Sequence, residues 1–248
     1  MPDHHFADGE LAALYDVFNP RELTGDFAFY LPSILAAKSV LDVGCGTGSL
    51  LHLARESGHT GRLVGLDPAD AMLTQARHRT DVEWVLGDLS AARWEGEFDF
   101  VVMTGHAFQV LVEDDELRVA LTAIRRALTD EGRFAFDTRN PSARGWERWT
   151  PENAREVTIA DGTVIRSWND GKAPEGDLVS FTTTYTSPSW DEPRYSHSTL
   201  RFLDAETLSE FLTEAGLAVD EQYGFWDRRP VTPESPEIVT FARRASPA

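Results

Sequence analysis

Three glycines at alternate positions, directly after an apolar run, constrain this chain more than any other feature. Residues 40–48 read Val-Leu-Asp-Val-Gly-Cys-Gly-Thr-Gly, and an amphipathic run follows at 49–57. This order predicts a buried strand, a tight turn and the start of a helix. Glycine lacks a Cβ, so such a turn adopts positive φ and allows a ligand close to the backbone. The free N–H groups of the helix N-terminus then face an anionic or polar ligand.

The glycine spacing indicates which ligand the loop binds. Dinucleotide-binding proteins use G-x-G-x-x-G, whereas the last interval here is one residue shorter. With Asp42 before the loop, the segment resembles motif I of the class I S-adenosylmethionine-dependent methyltransferases, roughly hydrophobic-(D/E)-x-G-x-G-x-G. The resemblance implies S-adenosyl-L-methionine as cofactor, S-adenosyl-L-homocysteine as product, and cofactor contacts from Gly44, Cys45, Gly46 and Gly48. The alternative is a tight turn without a ligand, in which Cys45 is only a small turn residue.

A second apolar strand is predicted at 63–66 and ends at Asp67, about 20 residues after the glycines, where a ribose-binding carboxylate is expected. The segment from Asp67 to Leu73 resembles the D-x-S-x-x-M-L pattern of the family and departs from it at Ala69. The resemblance implies that Asp67, Pro68 and Met72 contact the cofactor. Taken alone, Asp67 could equally be a solvated helix cap.

The next predicted strand, 82–86, stops at Gly87-Asp88-Leu89. In the family, the equivalent aspartate lies beside the adenine amino group, and the following residue adds a backbone contact. The resemblance therefore implies that Gly87, Asp88 and Leu89 belong to the cofactor site. The alternative for Asp88 is a simple turn former.

A fully apolar strand at 98–103 resembles the family's motif IV strand and is followed by Thr104, Gly105 and His106. In related methyltransferases this loop faces the transferable methyl group, which implies that Thr104 and Gly105 contact the cofactor. His106 is the candidate catalytic residue, because a histidine accepts a proton from a hydroxyl or amine near neutral pH. The alternative is that His106 only packs or makes local hydrogen bonds.

Aromatic residues supply further candidates. Tyr15 and Tyr30 resemble lid residues of small-molecule methyltransferases, including the sugar N,N-dimethyltransferases, whose tyrosines close over the methionine moiety of the cofactor. Both could instead be core anchors. Tryptophans and tyrosines between residues 146 and 203 either bind a flat or cationic acceptor or simply stabilise that segment.

Alternating strand and helix patterns up to residue 137 predict an α/β fold with a mainly parallel sheet between helices. A helix is predicted over 114–128, with an apolar stripe at Leu117, Leu121, Ile124 and Leu128, and a strand over 133–137. Two further strands are predicted at 217–223 and 238–243, and the resemblance implies that they form an antiparallel hairpin at the sheet edge. From residue 156 to 203 the pattern changes to short strands separated by turn signals, which predicts an antiparallel meander. We therefore expect a doubly wound, seven-stranded, Rossmann-like sheet formed by 1–145 and 204–248. Residues 146–203 are expected to form an inserted lid or platform where the acceptor enters.

Composition narrows the functional classes. A formal net charge of −18 argues against bulk nucleic acid as a partner, because nucleic-acid binding needs a basic surface. We find no apolar run of membrane-spanning length and no signal-peptide pattern, and a single cysteine fits a reducing cytoplasm. No metal-binding motif is present in the sequence. The oligomeric state is left open, with a homodimer as one option.

These features predict methyl transfer from S-adenosylmethionine to a nitrogen or oxygen atom of a small molecule. Two alternatives remain at this point. One is a protein that binds S-adenosylmethionine or S-adenosylhomocysteine without transferring a methyl group. The other is a nicotinamide-dependent oxidoreductase, which the spacing of the three glycines disfavours.

Overall fold

The computed structural model describes residues 3–20 and 25–245. The helices are α1 (His4–Ala7), α2 (Gly9–Phe18), α3 (Gly25–Ala36), α4 (Ser49–Glu56), α5 (Asp70–Ala76), α6 (Asp114–Ala127) and α7 (Ala205–Glu214). The strands are β1 (Ser39–Val43), β2 (Arg62–Asp67), β3 (Glu83–Leu86), β4 (Phe98–Met103), β5 (Leu128–Arg139), β6 (Arg155–Thr158), β7 (Val164–Gly171), β8 (Leu178–Thr186), β9 (Arg194–Arg201), β10 (Leu217–Tyr223) and β11 (Glu237–Arg244).

A seven-stranded sheet in the order β10-β11-β5-β4-β1-β2-β3 forms the centre of the molecule. Strand β11 runs antiparallel to both of its neighbours, β5 and β10, whereas the other pairs are parallel. The predicted fold class is confirmed, including the antiparallel pairing of the last two strands. The strands β1, β2, β4 and β5 place their carboxyl ends at one edge, which is where open α/β sheets bind ligands.

Both faces of this sheet are covered by apolar side chains. On one face, α6 buries the predicted stripe of Leu117, Leu121 and Ile124, each with 0 % exposure. On the other face, α3 buries Tyr30 and Ile34 against β1, β4 and β11. Each fully buried large apolar side chain contributes about 1.5–3 kcal/mol, so these two layers hold the sheet edge in a fixed geometry.

The strand β5 is longer than the sequence predicted. A helix was expected to run to residue 128 and a strand to cover 133–137, but α6 ends at Ala127 and β5 begins at once at Leu128. The pairing of β4 with β5 shifts between Phe98 and Phe100, so an irregularity absorbs the polar residues 129–131. At its other end β5 extends to Arg139, two residues beyond the predicted boundary.

A second sheet, in the order β6-β7-β8-β9, is entirely antiparallel, as predicted for the meander. The helices α1 and α2 link it to the edge of the main sheet. Ile165 of β7 packs against Leu11, Leu14 and Phe18 of α2, and the hydroxyl of Ser196 on β9 bonds to His5 of α1. Within the described ranges, no helix combines the length and the apolar character that crossing a bilayer would need.

Candidate functional site

The glycine loop joins β1 to α4 at the sheet edge. Gly44, Gly46 and Gly48 all have positive φ, at 71°, 54° and 75°, as the sequence predicted. The amide of Gly44 donates to the carbonyl of Leu66 at 2.8 Å, and the amide of Gly46 donates to Asp67 Oδ2 at 2.8 Å. The loop is therefore fixed by the end of the neighbouring strand β2.

The three glycines have different surroundings. A Cβ on Gly48 would lie 2.3 Å from Trp84, so this glycine is required for packing of α4. A Cβ on Gly46 would lie 3.1 Å from the terminal methyl group of Met72, in a position that is only partly buried. Gly46 therefore lies next to the Met72 side chain, and the approach of a ligand to this glycine stays a prediction. Its neighbour Cys45 has a thiol whose pKa burial raises well above the usual value, so it is not a thiolate nucleophile.

Asp67 ends β2 and connects the loop to α5. Its Oδ1 accepts from the amide of Ala69 and its Oδ2 from that of Gly46, both at 2.8 Å. Burial raises the pKa of this carboxyl group, and the two backbone bonds oppose the shift. Each carboxylate oxygen keeps a second lone pair, which is what a ribose hydroxyl would use. Pro68, beside it, is exposed. The ribose contact itself stays a prediction.

Asp42 lies behind the loop and carries an unusual carboxyl group. The residue is 1 % exposed, and its Oδ1 has no hydrogen-bond partner among the described residues. Burial raises its pKa to about 8, and the negative charges of Asp67 and Asp26 add to this shift. A buried acceptor without a donor is costly, so a cationic or N–H group of a ligand would stabilise it.

The pKa of Asp42 leads to a prediction about stability. The folded-state value of about 8 lies above the ordinary 3.8, so folding takes up a proton between these pH values. The associated stability is present at low pH and is lost as the pH rises towards 8, by about 1.4 kcal/mol per pH unit where one proton is taken up. We expect Asp42→Asn to flatten this dependence and to raise the melting temperature at alkaline pH.

Thermal unfolding of the two proteins at about pH 6 and about pH 8.5 measures this effect. Asp115→Asn is the matched control, because that side chain is 98 % exposed. It removes the same charge from the protein without removing a buried carboxyl group. Equal pH dependence in wild type, Asp42→Asn and Asp115→Asn would contradict the prediction.

The segment after β3 lies at the same edge. The amide of Gly87 donates to the carbonyl of Asp67 at 3.0 Å. Asp88 is exposed, and its Oδ1 accepts from the amide and hydroxyl of Ser90 at 2.8 and 2.5 Å, while the Leu89 side chain belongs to the core. Asp88 thus forms the turn that the alternative interpretation proposed. The adenine contact stays a prediction.

The helix α2 covers the glycine loop from the N-terminal side. Asp16 Oδ1 accepts from the hydroxyl of Thr47 at 2.7 Å and from that of Ser49 at 3.3 Å. On the same helix, Tyr15 packs with Met72, and a Cβ on Gly105 would lie 3.9 Å from the Tyr15 hydroxyl. Tyr15 therefore lies near both Met72 and the loop after β4, and its role as a lid over the methionine moiety stays a prediction. Burial raises its pKa to about 12, so the phenol stays protonated.

The loop after β4 turns sharply at two left-handed residues, Gly105 with φ 64° and His106 with φ 65°, just after Thr104. The conformation is uncommon for a residue with a side chain. It is held in place because the amide of His106 donates to Asp137 Oδ2 at 3.0 Å and its Nε2 lies 2.9 Å from Glu237 Oε2. The imidazole is 17 % exposed, and its Nδ1 makes no hydrogen bond to the described residues.

Burial shifts the pKa values of His106, Asp137 and Glu237 in the directions that favour their neutral forms. Burial lowers the pKa of His106 to about 3, assisted by the positive charge of Arg139. Burial likewise raises the pKa of Glu237 to about 8 and that of Asp137 to about 6. His106 is therefore a neutral imidazole near pH 7, with one unprotonated ring nitrogen whose basicity burial lowers.

Tyr30 has a different position from Tyr15. It has 0 % exposure, and its hydroxyl donates to Asp137 Oδ1 at 3.1 Å. Its contact with the cofactor stays a prediction, and the structure gives the side chain another role, the positioning of Asp137. Through Asp137, Tyr30 also fixes the backbone of His106.

Sequence reasoning missed Asp137, Arg139 and Glu237. Asp137 and Arg139 occupy the carboxyl end of β5, and the rule that ligands bind outside strand carboxyl ends would have identified them. Glu237 begins the antiparallel strand β11 and pairs with Arg139 across the ladder. No local pattern marks it, because His106 is 131 positions away in the chain. Among the described residues, no group of three or more His, Cys, Asp or Glu is arranged to hold a metal ion.

Residues 40–132, which carry the glycine loop and strands β1–β4, match a family model described as a methyltransferase domain. The chain is 34 % identical to the dTDP-3-amino-3,4,6-trideoxy-alpha-D-glucopyranose N,N-dimethyltransferase of Streptomyces venezuelae, over 74 % of this chain and 77 % of that protein. It is also 34 % identical to the cypemycin N-terminal methyltransferase of a Streptomyces species, over 44 % of each chain. It spans about half the length of several curated relatives that it matches.

The fold has a close counterpart among solved structures. The CcbJ methyltransferase of Streptomyces caelestis superposes with a TM-score of 0.77 at 22 % identity, covering 98 % of both chains. This similarity shows that the arrangement of both sheets exists in a known methyltransferase. Together with the relative from Streptomyces venezuelae, of which more than two thirds is covered, it identifies the family. The chain belongs to the class I S-adenosylmethionine-dependent methyltransferases.

Proposed function

We propose that this protein transfers a methyl group from S-adenosylmethionine to a nitrogen atom of a small molecule. The observation that carries the proposal is the unpartnered, buried Oδ1 of Asp42 behind a loop of three positive-φ glycines. The cationic ammonium of the methionine moiety would stabilise this acceptor oxygen, and Gly46 and Met72 border the partly buried side of the same loop. The residues present therefore fit this cofactor.

Each part of the site has a distinct task in this proposal. When bound, S-adenosylmethionine supplies an activated methyl group on a sulfonium sulfur. The glycine loop and Asp67 hold the methionine and ribose portions, while Asp88 and Leu89 border the adenine. Tyr15 closes the pocket from α2. Since the methyl donor is already activated, positioning and water exclusion supply most of the catalysis.

His106 is the proposed proton acceptor for the incoming nucleophile. It is neutral near pH 7, and Nδ1 is free to accept a proton in the tautomer whose Nε2–H donates to Glu237 Oε2. An amine is the favoured acceptor because the two curated relatives described above act on nitrogen, as their names state.

Three further assignments belong to this proposal. Residues 146–203 form the lid or platform for the acceptor. A hydrogen bond between this segment and the region of His106 supports the assignment, because the side-chain amide of Gln109 donates to the carbonyl of Arg201 at 2.9 Å. A small molecule rather than bulk nucleic acid is the partner, supported by the net charge of −18. A cytoplasmic location is supported by the single cysteine.

Calorimetry with S-adenosylhomocysteine and with NAD tests the cofactor assignment. We expect S-adenosylhomocysteine to bind and NAD not to bind, because the loop lacks the G-x-G-x-x-G spacing. The opposite result would refute the proposed function. Transfer of labelled methyl groups to a pool of small amines then separates an enzyme from a protein that only binds the cofactor.

A further inference from the structure

Arg139, at the end of β5, is an arginine without an ion-pair partner in a secluded position. Among the described residues, no carboxylate lies within ion-pair distance of its guanidinium. Its one side-chain hydrogen bond goes from Nη1 to the neutral amide oxygen of Gln109, at 3.0 Å. Burial lowers the pKa of Arg139 from its usual value, and electrostatic interactions with Glu237, Asp137 and Tyr15 oppose this shift. A half-buried guanidinium without an anion keeps an uncompensated charge, which an anionic group of a ligand would stabilise.

The carboxyl groups that could pair with Arg139 are already bound elsewhere. Glu237 lies directly opposite Arg139 in the β5–β11 ladder, yet its Oε2 bonds to His106 at 2.9 Å. Asp137, two residues earlier on the same strand, accepts from Tyr30 with one oxygen and from the His106 amide with the other. The sheet thus places acids beside the arginine without forming a salt bridge.

The guanidinium is held in place by neutral groups. Its carbon lies 5.5 Å from the centre of the Trp149 ring, and the amide oxygen of Gln109 accepts from both the side chain and the backbone of Arg139. Gln109 is itself 1 % exposed and anchored to β9 through the carbonyl of Arg201. Nε and Nη2 make no hydrogen bond to the described residues and are not fully enclosed. The planar guanidinium of Arg139 is therefore held in one orientation, and its Nε and Nη2 groups remain as donors for a ligand.

Arg139 shares its surroundings with the proposed acceptor site. The positive charge of Arg139 lowers the pKa of both His106, in the loop after β4, and Tyr15, which packs beside that loop from α2. Residues 146–203 reach this region through Trp149, which lies against Arg139, and through Arg201, whose carbonyl accepts from Gln109. An acceptor entering beneath the second sheet would meet Arg139 and His106 together.

We propose that Arg139 binds an anionic group of the methyl acceptor, a carboxylate or a phosphate, while the nucleophilic atom lies towards His106. This inference rests on the proposed function and specifies its substrate class, an amine that also carries a negative charge. The net charge of −18 repels such molecules from most of the surface, so a dedicated arginine is needed to bind them. The planar fork of arginine suits the bidentate geometry of both anions.

Binding of acetate and of inorganic phosphate to the full-length protein loaded with S-adenosylhomocysteine tests the proposal. Nuclear magnetic resonance follows acetate by saturation transfer and phosphate by phosphorus line width. We expect one of the two anions to bind, and Arg139→Gln to weaken its binding by about 10- to 100-fold. Preference for acetate identifies a carboxylate-bearing acceptor, and preference for phosphate a phosphorylated one. Arg139→Lys keeps the charge without the fork and should give an intermediate loss.

Arg133→Gln is the matched control, because it removes an arginine of the same strand that is already ion-paired with Glu221. It should leave anion binding unchanged. Absence of anion binding in the wild type, or equal binding in wild type and Arg139→Gln, would overturn the proposal. So would a loss of S-adenosylhomocysteine affinity in Arg139→Gln with unchanged affinity for methylthioadenosine, because Arg139 would then hold the carboxylate of the cofactor. If the wild type fails to bind S-adenosylhomocysteine, the proposed function fails, and anion binding to the unloaded protein still reports on Arg139.

Discussion

Replacement of Gly46 by valine is expected to abolish the binding of S-adenosylhomocysteine. The φ of 54° is unfavourable for a β-branched residue, and its Cβ would lie 3.1 Å from Met72 in the space assigned to the cofactor. The substitution would also disturb the bond from the Gly46 amide to Asp67. Backbone strain of about 1–3 kcal/mol, added to steric exclusion of the ligand, should lower the affinity by more than about 100-fold. Calorimetry on the folded variant measures this loss.

Gly58→Val separates strain from ligand exclusion. Gly58 also has positive φ, at 93°, but a Cβ there would meet no atom within 4 Å. It follows α4 and lies outside the glycine loop. We expect Gly58→Val to lower the melting temperature without changing the cofactor affinity. A folded Gly46→Val protein with native affinity would show that the loop does not bind the cofactor.

Loss of the His106 side chain is expected to reduce turnover far more than cofactor affinity. If the neutral imidazole accepts the proton of the nucleophile, His106→Ala should lower the rate by about 10²–10⁴-fold. If His106 only orients the acceptor, the loss should be smaller and should fall partly on the KM for the acceptor. Steady-state methyl transfer with an identified acceptor distinguishes the two roles.

Glu237→Gln provides the companion measurement. The amide keeps the shape of Glu237 and a hydrogen bond to His106, but it cannot exchange a proton with the imidazole. If Glu237 assists proton removal, its variant should change the pH dependence of the rate near its pKa of about 8. If it only positions the ring, the pH profile should keep its shape.

An unchanged kcat in His106→Ala would remove this histidine from the mechanism.

The proposals for the acceptor site concern different residues of one chamber. In these proposals His106 receives the reacting end of the acceptor and Arg139 its anionic end; Asp137 of β5 fixes the backbone of His106, and Gln109 holds the guanidinium of Arg139. Gln109, anchored to β9, couples the position of Arg139 to the second sheet. Substitutions in residues 146–203 should therefore change acceptor preference without changing cofactor affinity.

The local features of this fold could be predicted from the sequence because they depend on neighbouring residues. Alternating and continuous apolar runs identified the strands of both sheets to within a few residues, and the stripe on α6 was buried as its 3.6-residue period required. The positive φ of Gly44, Gly46 and Gly48 followed from their spacing. Three boundaries differed from the prediction, at the end of α6 and at both ends of β5. At the junction of α6 and β5, the pairing of β5 with β4 overrides the helical pattern.

The polar part of the site depended on contacts between distant segments, which no local pattern contains. The tertiary structure decided that Glu237 faces His106, that the buried Tyr30 bonds to Asp137, and that Arg139 has no ion-pair partner in the described part of the chain. These outcomes follow from strand order, because the antiparallel β11 enters beside β5 and brings its first residue to the carboxyl edge of the parallel strands. The sequence alone thus determined the fold and the cofactor loop, through short-range spacing and period. Only the assembled sheet decided which charges meet around the acceptor, since burial and pairing arise when strands far apart in the chain become neighbours.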